Sequence, residues 1–144
     1  MPRALVDTSV LYAAAYRRDR HHERALPILR GIDGGDLPEA VVLDYVLAET
    51  LNGLTTNAGH DAAVDFLDRL EENRRFHVES LSAEGFARAK SLFRGRRKLS
   101  LVDASLAAYA DERKTTYLYA FDDDFDSVDR LSRLDTPTNP YSPD

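Results

Sequence analysis

Short apolar runs that alternate with longer amphipathic ones constrain the fold of this chain more than any other feature. Ala4-Leu5-Val6, Ala40-Val41-Val42-Leu43, Phe76-His77-Val78 and Tyr117 to Phe121 read as strands. Between them lie segments with helical spacing: Val10 to Tyr16, His22 to Leu29, Asp44 to Thr56, Asp61 to Glu72, Ser82 to about Phe93, and Val102 to Arg113. Gly31 to Pro38, with its three glycines, reads as a loop, and residues 136–144 as a flexible tail on a single domain spanning 1–144. Alternation of this kind predicts an α/β fold, a three-layer α/β/α sandwich around a central, mainly parallel sheet. Open sheets of that type bind ligands beyond the carboxyl ends of their strands. Asp7 and Asp122 each follow a strand directly, so two carboxylates are expected at that edge.

Composition narrows the chemistry. At 43% hydrophobic and 31% charged residues, the chain is built like a globular domain. No apolar run is long enough for a membrane helix, and no signal peptide is legible at the start, so the cytoplasm is the expected location. Cysteine is absent, which excludes disulfides, thiolate nucleophiles and Cys-ligated zinc. The net charge of -6 opposes bulk electrostatic capture of nucleic acid. That charge is unevenly spread, however. Asp122, Asp123, Asp124, Asp126 and Asp129 crowd one segment, and Arg94, Arg96, Arg97 and Lys98 another. Cations bound among carboxylates would also change the local potential.

Taken singly, each acid has a plain structural account. Asp7 can end a strand and cap the next helix; Glu49 can be a solvated helix charge. Ser100-Leu101-Val102-Asp103 has the form of a capping box, favoured further by the helix dipole. Asp122 to Asp124 can be a solvated acidic turn. Taken together, carboxylates aimed at one point suit hard, oxygen-seeking divalent cations, which can activate water for attack on a phosphodiester.

Four segments carry a family resemblance. Leu5-Val6-Asp7-Thr8-Ser9-Val10-Leu11 resembles the opening motif of PIN domains. Val42-Leu43-Asp44-Tyr45-Val46-Leu47-Ala48-Glu49-Thr50-Leu51 is similar to the second motif, whose Glu is the family's second acid. Leu99-Ser100-Leu101-Val102-Asp103-Ala104-Ser105-Leu106 resembles the third, and Phe121-Asp122-Asp123-Asp124-Phe125 the fourth. The fourth departs from the usual Thr-x-Asp-x-Asp-Phe, because Ala120 stands where the Thr belongs. Thr8 or Ser9 could supply the missing hydroxyl, and either Asp122 or Asp124 could be the inward acid, with Asp122 favoured as the first past the strand. In size and motifs the chain looks most like the toxins of VapBC-type toxin–antitoxin pairs. The resemblance implies an endoribonuclease using Mg²⁺ or Mn²⁺ held by Asp7, Glu49, Asp103 and Asp122. It further implies a homodimer silenced by a small antitoxin.

Arg94, Arg96, Arg97 and Lys98 are candidates for the RNA path, while a solvated charge run is the plainer alternative. His21, His22 and His60 read as solvated and His77 as part of a strand. Three rival readings differ in what they require. A non-catalytic PIN-like module binding RNA or a protein would not need the four acids. A phosphate-accepting receiver domain needs an acidic pair after its first strand, where this chain has Asp7-Thr8, and a lysine where it has Asp122. A nucleotide-binding enzyme needs a glycine-rich loop after a strand, and none follows here.

Overall fold

The computed structural model describes residues 2–142; Met1, and Pro143 and Asp144 at the end of the expected tail, lie outside the described residues. Five parallel strands form one sheet: β1 Arg3–Val6, β2 Glu39–Leu43, β3 Phe76–Glu79, β4 Tyr117–Tyr119 and β5 Ser132–Leu134, in the order β3-β2-β1-β4-β5. Leu5 is in register with Val41 on one side and Leu118 on the other. The three central strands are nearly continuous apolar runs, as strands covered on both faces must be.

Six helices connect them: α1 Thr8–Ala15, α2 His22–Gly34, α3 Asp44–Ala58, α4 His60–Glu72, α5 Ala83–Gly95 and α6 Leu101–Arg113. α1 packs on α2 and α3, α3 on α4, and α5 on α6. The chain turns back across the sheet between β3 and β4, and right-handed crossovers then place α1–α4 and α5–α6 on opposite faces. This is the three-layer α/β architecture expected from the alternation. Leu5, Leu11, Ile28, Ile32, Leu43, Leu106, Leu118, Tyr119 and Phe125 form the largest fully buried part of the core. Among the described residues, no helix is long and apolar enough to cross a membrane.

Two local expectations are corrected. Gly31 to Gly34 is the last turn of α2 rather than loop. Gly31 is there because Leu37 lies against its bare Cα: a Cβ would come within 2.7 Å of Leu37 Cγ, and Leu37 N donates to Gly31 O. The helix stops at Gly35, whose φ of 92° is the left-handed C-cap conformation. The fourth strand ends at Tyr119 rather than Phe121: Ala120 N still donates to Leu134 O of β5, but Phe121 N leaves the ladder for the Ser9 hydroxyl. β5 itself has no sequence signal, being the short polar run Ser132-Arg133-Leu134, held as an edge strand by Arg133. The Arg133 guanidinium binds both Asp126 carboxylate oxygens and Ala120 O. As for the stretch read as a tail, Tyr141 Oη donates to Arg3 O, its ring meets Tyr117 edge-on, and Tyr119 Oη donates to Thr138 O.

Candidate metal centre at the carboxyl edge

The strand order reverses between β1 and β4, since the chain builds outward through β2 and β3 and then returns to place β4 and β5 on the other side. α/β sheets bind ligands at such a switch point, beyond the carboxyl ends of the strands. Asp7 lies there, directly after β1, and is buried. Its backbone N donates to Tyr119 O at 2.9 Å, and its carboxylate Oδ2 accepts from Ser9 N at 3.1 Å and Ser9 Oγ at 2.6 Å. Ser9 Oγ in turn accepts from Phe121 N at 3.0 Å, fastening the start of the acidic segment to the first strand end. One hydroxyl thus supplies the link that Ala120 cannot make. Thr8 Oγ1, the other candidate, is buried with no hydrogen-bond partner among the described residues.

Asp7 is only 5% exposed, and burial pushes its carboxyl up to about 6, against the lowering effect of the Ser9 bonds and helped by the charge of Asp103. Asp103, 9% exposed, completes a capping box with Ser100: its Oδ2 accepts from Ser100 N at 3.0 Å, and Ser100 Oγ accepts from Asp103 N at 3.1 Å. Burial raises the Asp103 carboxyl as well, and the charges of Asp122 and Glu49 push in the same direction. Capping therefore does not exhaust Asp103, because the box engages Oδ2 and not Oδ1.

Asp122 caps the 3-10 turn Asp123–Ser127 by accepting from Asp124 N at 2.9 Å, and its charge, first among several causes, raises Asp124. Glu49 is exposed on α3. Mutual repulsion thus joins Asp7 to Asp103, and Asp103 to Asp122 and Glu49. Ligand atoms within one ion's reach are a narrower set: among the described residues, Asp122, Asp123 and Asp124 offer oxygens within 4.8 Å of one another. Asp123 is not a candidate on sequence grounds, since it differs there in no visible way from its neighbours.

Of the basic run, Arg96 Nη1 donates to Ser127 O at 3.0 Å, and Lys98 counters the charge of Asp124. Arg94 is in the last turn of α5 and Arg97 on the connection to α6, both exposed.

The chain is thus a doubly wound α/β protein with two buried acids, Asp7 and Asp103, near its switch point. The PIN domain model matches residues 4–131, and the chain belongs to the PIN domain family. In structure it is similar to VapC20 of Mycobacterium tuberculosis, a toxin cleaving the sarcin–ricin loop, with 26% identity, a TM-score of 0.76, and coverage of 88% of this chain and 95% of that one. It is also similar to VapBC2 of Rickettsia felis bound to a DNA fragment from their promoter, at 15% identity and a TM-score of 0.66 over 92% and 97% of the two chains. A toxin–antitoxin complex from Klebsiella pneumoniae is similar at 20% identity and a TM-score of 0.61 over 94% and 98%. At these identities the last two speak for the fold alone. No curated protein sequence matches the chain.

Proposed function

We propose that this chain is an endoribonuclease that depends on a divalent cation, Mg²⁺ or Mn²⁺, and serves as the toxin of a toxin–antitoxin pair. PIN-domain nucleases generally use divalent metal ions. The donor set here fits such an ion: hard carboxylate oxygens, two of the acids buried, and charges that raise one another in its absence. Asp7, Glu49, Asp103 and Asp122 would hold the metal, with Asp123 and Asp124 within reach of Asp122. When bound, the cation lowers the pKa of a coordinated water and neutralises charge developing on the phosphate.

The chain's own residues have separable tasks. Ser9 fixes the Asp7 carboxylate and the Asp122 segment relative to each other. Ser100 orients Asp103. Glu49 and Asp122, the acids with solvent access, are available to accept a proton from water. The single observation that carries the reading is Asp7: a carboxyl buried at the switch point and facing a second buried acid is costly to keep ionised unless a cation offsets it.

The partner proposed is a small antitoxin protein that covers this cleft. We further propose that the chain is a homodimer, which light scattering checks, and that it acts in the cytoplasm. Incubating the purified chain with structured RNAs in Mg²⁺ or Mn²⁺, and then with a chelator, tests the activity. Internal cuts that the chelator abolishes are expected, and Asp103→Asn should slow them at least about a hundredfold. RNA bound but left intact under every metal condition would make the chain a non-catalytic binding module and overturn the reading.

A further inference from the structure

The corner between α1 and α2 carries Arg17, Arg18, Arg20 and Arg24 within eight residues of a chain whose net charge is -6. Two of them, Arg20 and Arg24, flank His21, and Arg24 reaches the acidic segment. The Arg24 guanidinium lies 4.4 Å from the Phe121 ring centroid, and the His21 ring meets the same aromatic at 5.0 Å. Arg24 Nη1 is 3.1 Å from His21 Nδ1, and Arg20 Nε is 3.2 Å from His21 Nε2. The corner is itself fixed: Asp19 Oδ1 accepts from His21 N, and His22 Nδ1 bonds to Ala13 O of α1. Phe121 is the residue before Asp122, and its N–H is the one tied through Ser9 to Asp7.

This arrangement is unsatisfied as it stands. A neutral imidazole accepts a hydrogen bond through one nitrogen only, so His21 can hold one of the two guanidiniums and not both. Among the described residues, the only carboxylate on either is Asp135, 3.7 Å from Arg24 Nη2 with both side chains about half exposed, a pair of little worth. Two guanidiniums gathered around one imidazole, that of Arg24 over an aromatic ring, with donors to spare and solvent access, match a phosphate with a neighbouring base.

We propose that Arg20 and Arg24, organised by His21 and Phe121, grip a backbone phosphate of single-stranded RNA next to the scissile one. The assignment rests on the ribonuclease reading above and deepens it. Because Phe121 is linked to Asp7 and adjoins Asp122, a phosphate held at Arg24 has a fixed offset from the acids. The cluster is therefore a positioning device rather than part of the chemistry. It is separate from the Arg94–Lys98 run, of which Arg96 is already bonded to Ser127 O.

Single-turnover cleavage of a structured RNA in Mg²⁺ or Mn²⁺, as a function of protein and salt concentration, tests it in wild type and in the Arg20→Gln/Arg24→Gln double variant. The half-saturating protein concentration should rise at least about tenfold while the limiting rate stays within about threefold. The slope of log affinity against log salt should flatten by roughly 0.7 for each phosphate that is no longer neutralised. Arg24→Lys, which keeps the charge, should keep the slope. Should the double variant melt early, Arg20→Gln alone, whose exposed side chain lies beside His21 Nε2 and not against Phe121, carries the same test. Unchanged half-saturation and slope in a wild type that cuts would overturn this proposal, leave the ribonuclease reading standing, and assign the corner to an acidic protein surface. A wild type that neither binds nor cuts RNA would overturn both.

Discussion

Asp7 concentrates the electrostatic cost of the site in one side chain. Its folded carboxyl is raised to about 6, from an ordinary value of 3.8, chiefly by burial. Between those values the folded chain holds a proton that the unfolded chain has released. In the metal-free protein this group's contribution to stability therefore declines as pH climbs from about 4 to 6, and the whole penalty, about 3 kcal/mol, is present above that. Asp7→Asn should remove that slope, leaving the metal-free variant more stable than wild type at pH 7 and about equal at pH 4. Denaturant unfolding with chelator at the two values checks it, and identical pH profiles would contradict the burial argument. Ser9→Ala tests the neighbouring link. It leaves Phe121 N–H without its acceptor and Asp7 without its hydroxyl, so unfolding free energy should fall by about 1–3 kcal/mol and metal affinity by roughly 10–100-fold. A variant matching wild type in both respects would mean that the Ser9 bridge does not organise the site.

Among the elements, α2 separates what a local pattern reveals from what it hides. Glycines at 31, 34 and 35 look alike in sequence, yet only Gly35 needs a positive φ, Gly31 is bare because Leu37 presses on it, and Gly34 faces open space. Gly31→Ala should cost about 1–3 kcal/mol through overpacking, whereas Gly34→Ala should gain about 0.5–1 kcal/mol from helix propensity. Thermal melting of the two variants checks the pair, and a gain in both would show that Leu37 yields easily. Although Ala120 and Phe121 separate Asp122 from the end of β4, the strand end at Asp7 and the capping box at Asp103 are legible in the sequence because strand-to-helix junctions are written in adjacent residues. β5 is not, because Ser132-Arg133-Leu134 becomes a strand only through its pairing with the β4 edge and the Arg133 bonds to Asp126, contacts that no pattern within three residues reveals. The Ser9 hydroxyl can be foreseen as a substitute for the absent threonine, whereas its actual partner, Phe121 N, is a matter of three-dimensional proximity. His21 reads as merely solvated for the same reason: nothing local announces that Phe121 lies beneath the corner from Arg20 to Arg24.

For the whole molecule, a site of mutually repelling acids would couple the proposed metal to folding. A cation that binds only the folded form stabilises by mass action, by about 2.7 kcal/mol at a hundred times its dissociation constant, or several degrees in melting temperature for a chain of this size. The shift with Mg²⁺ or Mn²⁺ should be larger at pH 7 than at pH 5, because protons compete for the same oxygens. Calorimetry or dye-monitored melting at both pH values checks it; equal shifts would place the ions elsewhere on the surface.

Ser9 and Phe121 are 112 positions apart, yet share the hydrogen bond that ties the acidic segment to the end of the first strand. During synthesis, when the amino-terminal part emerges first, a nascent chain carrying Asp7, Glu49 and Asp103 still lacks the fourth strand and the residues after it. The site proposed above is therefore completed only after Phe121 has been made and tied to Ser9, so a chain cut short before that residue should hold neither metal nor activity.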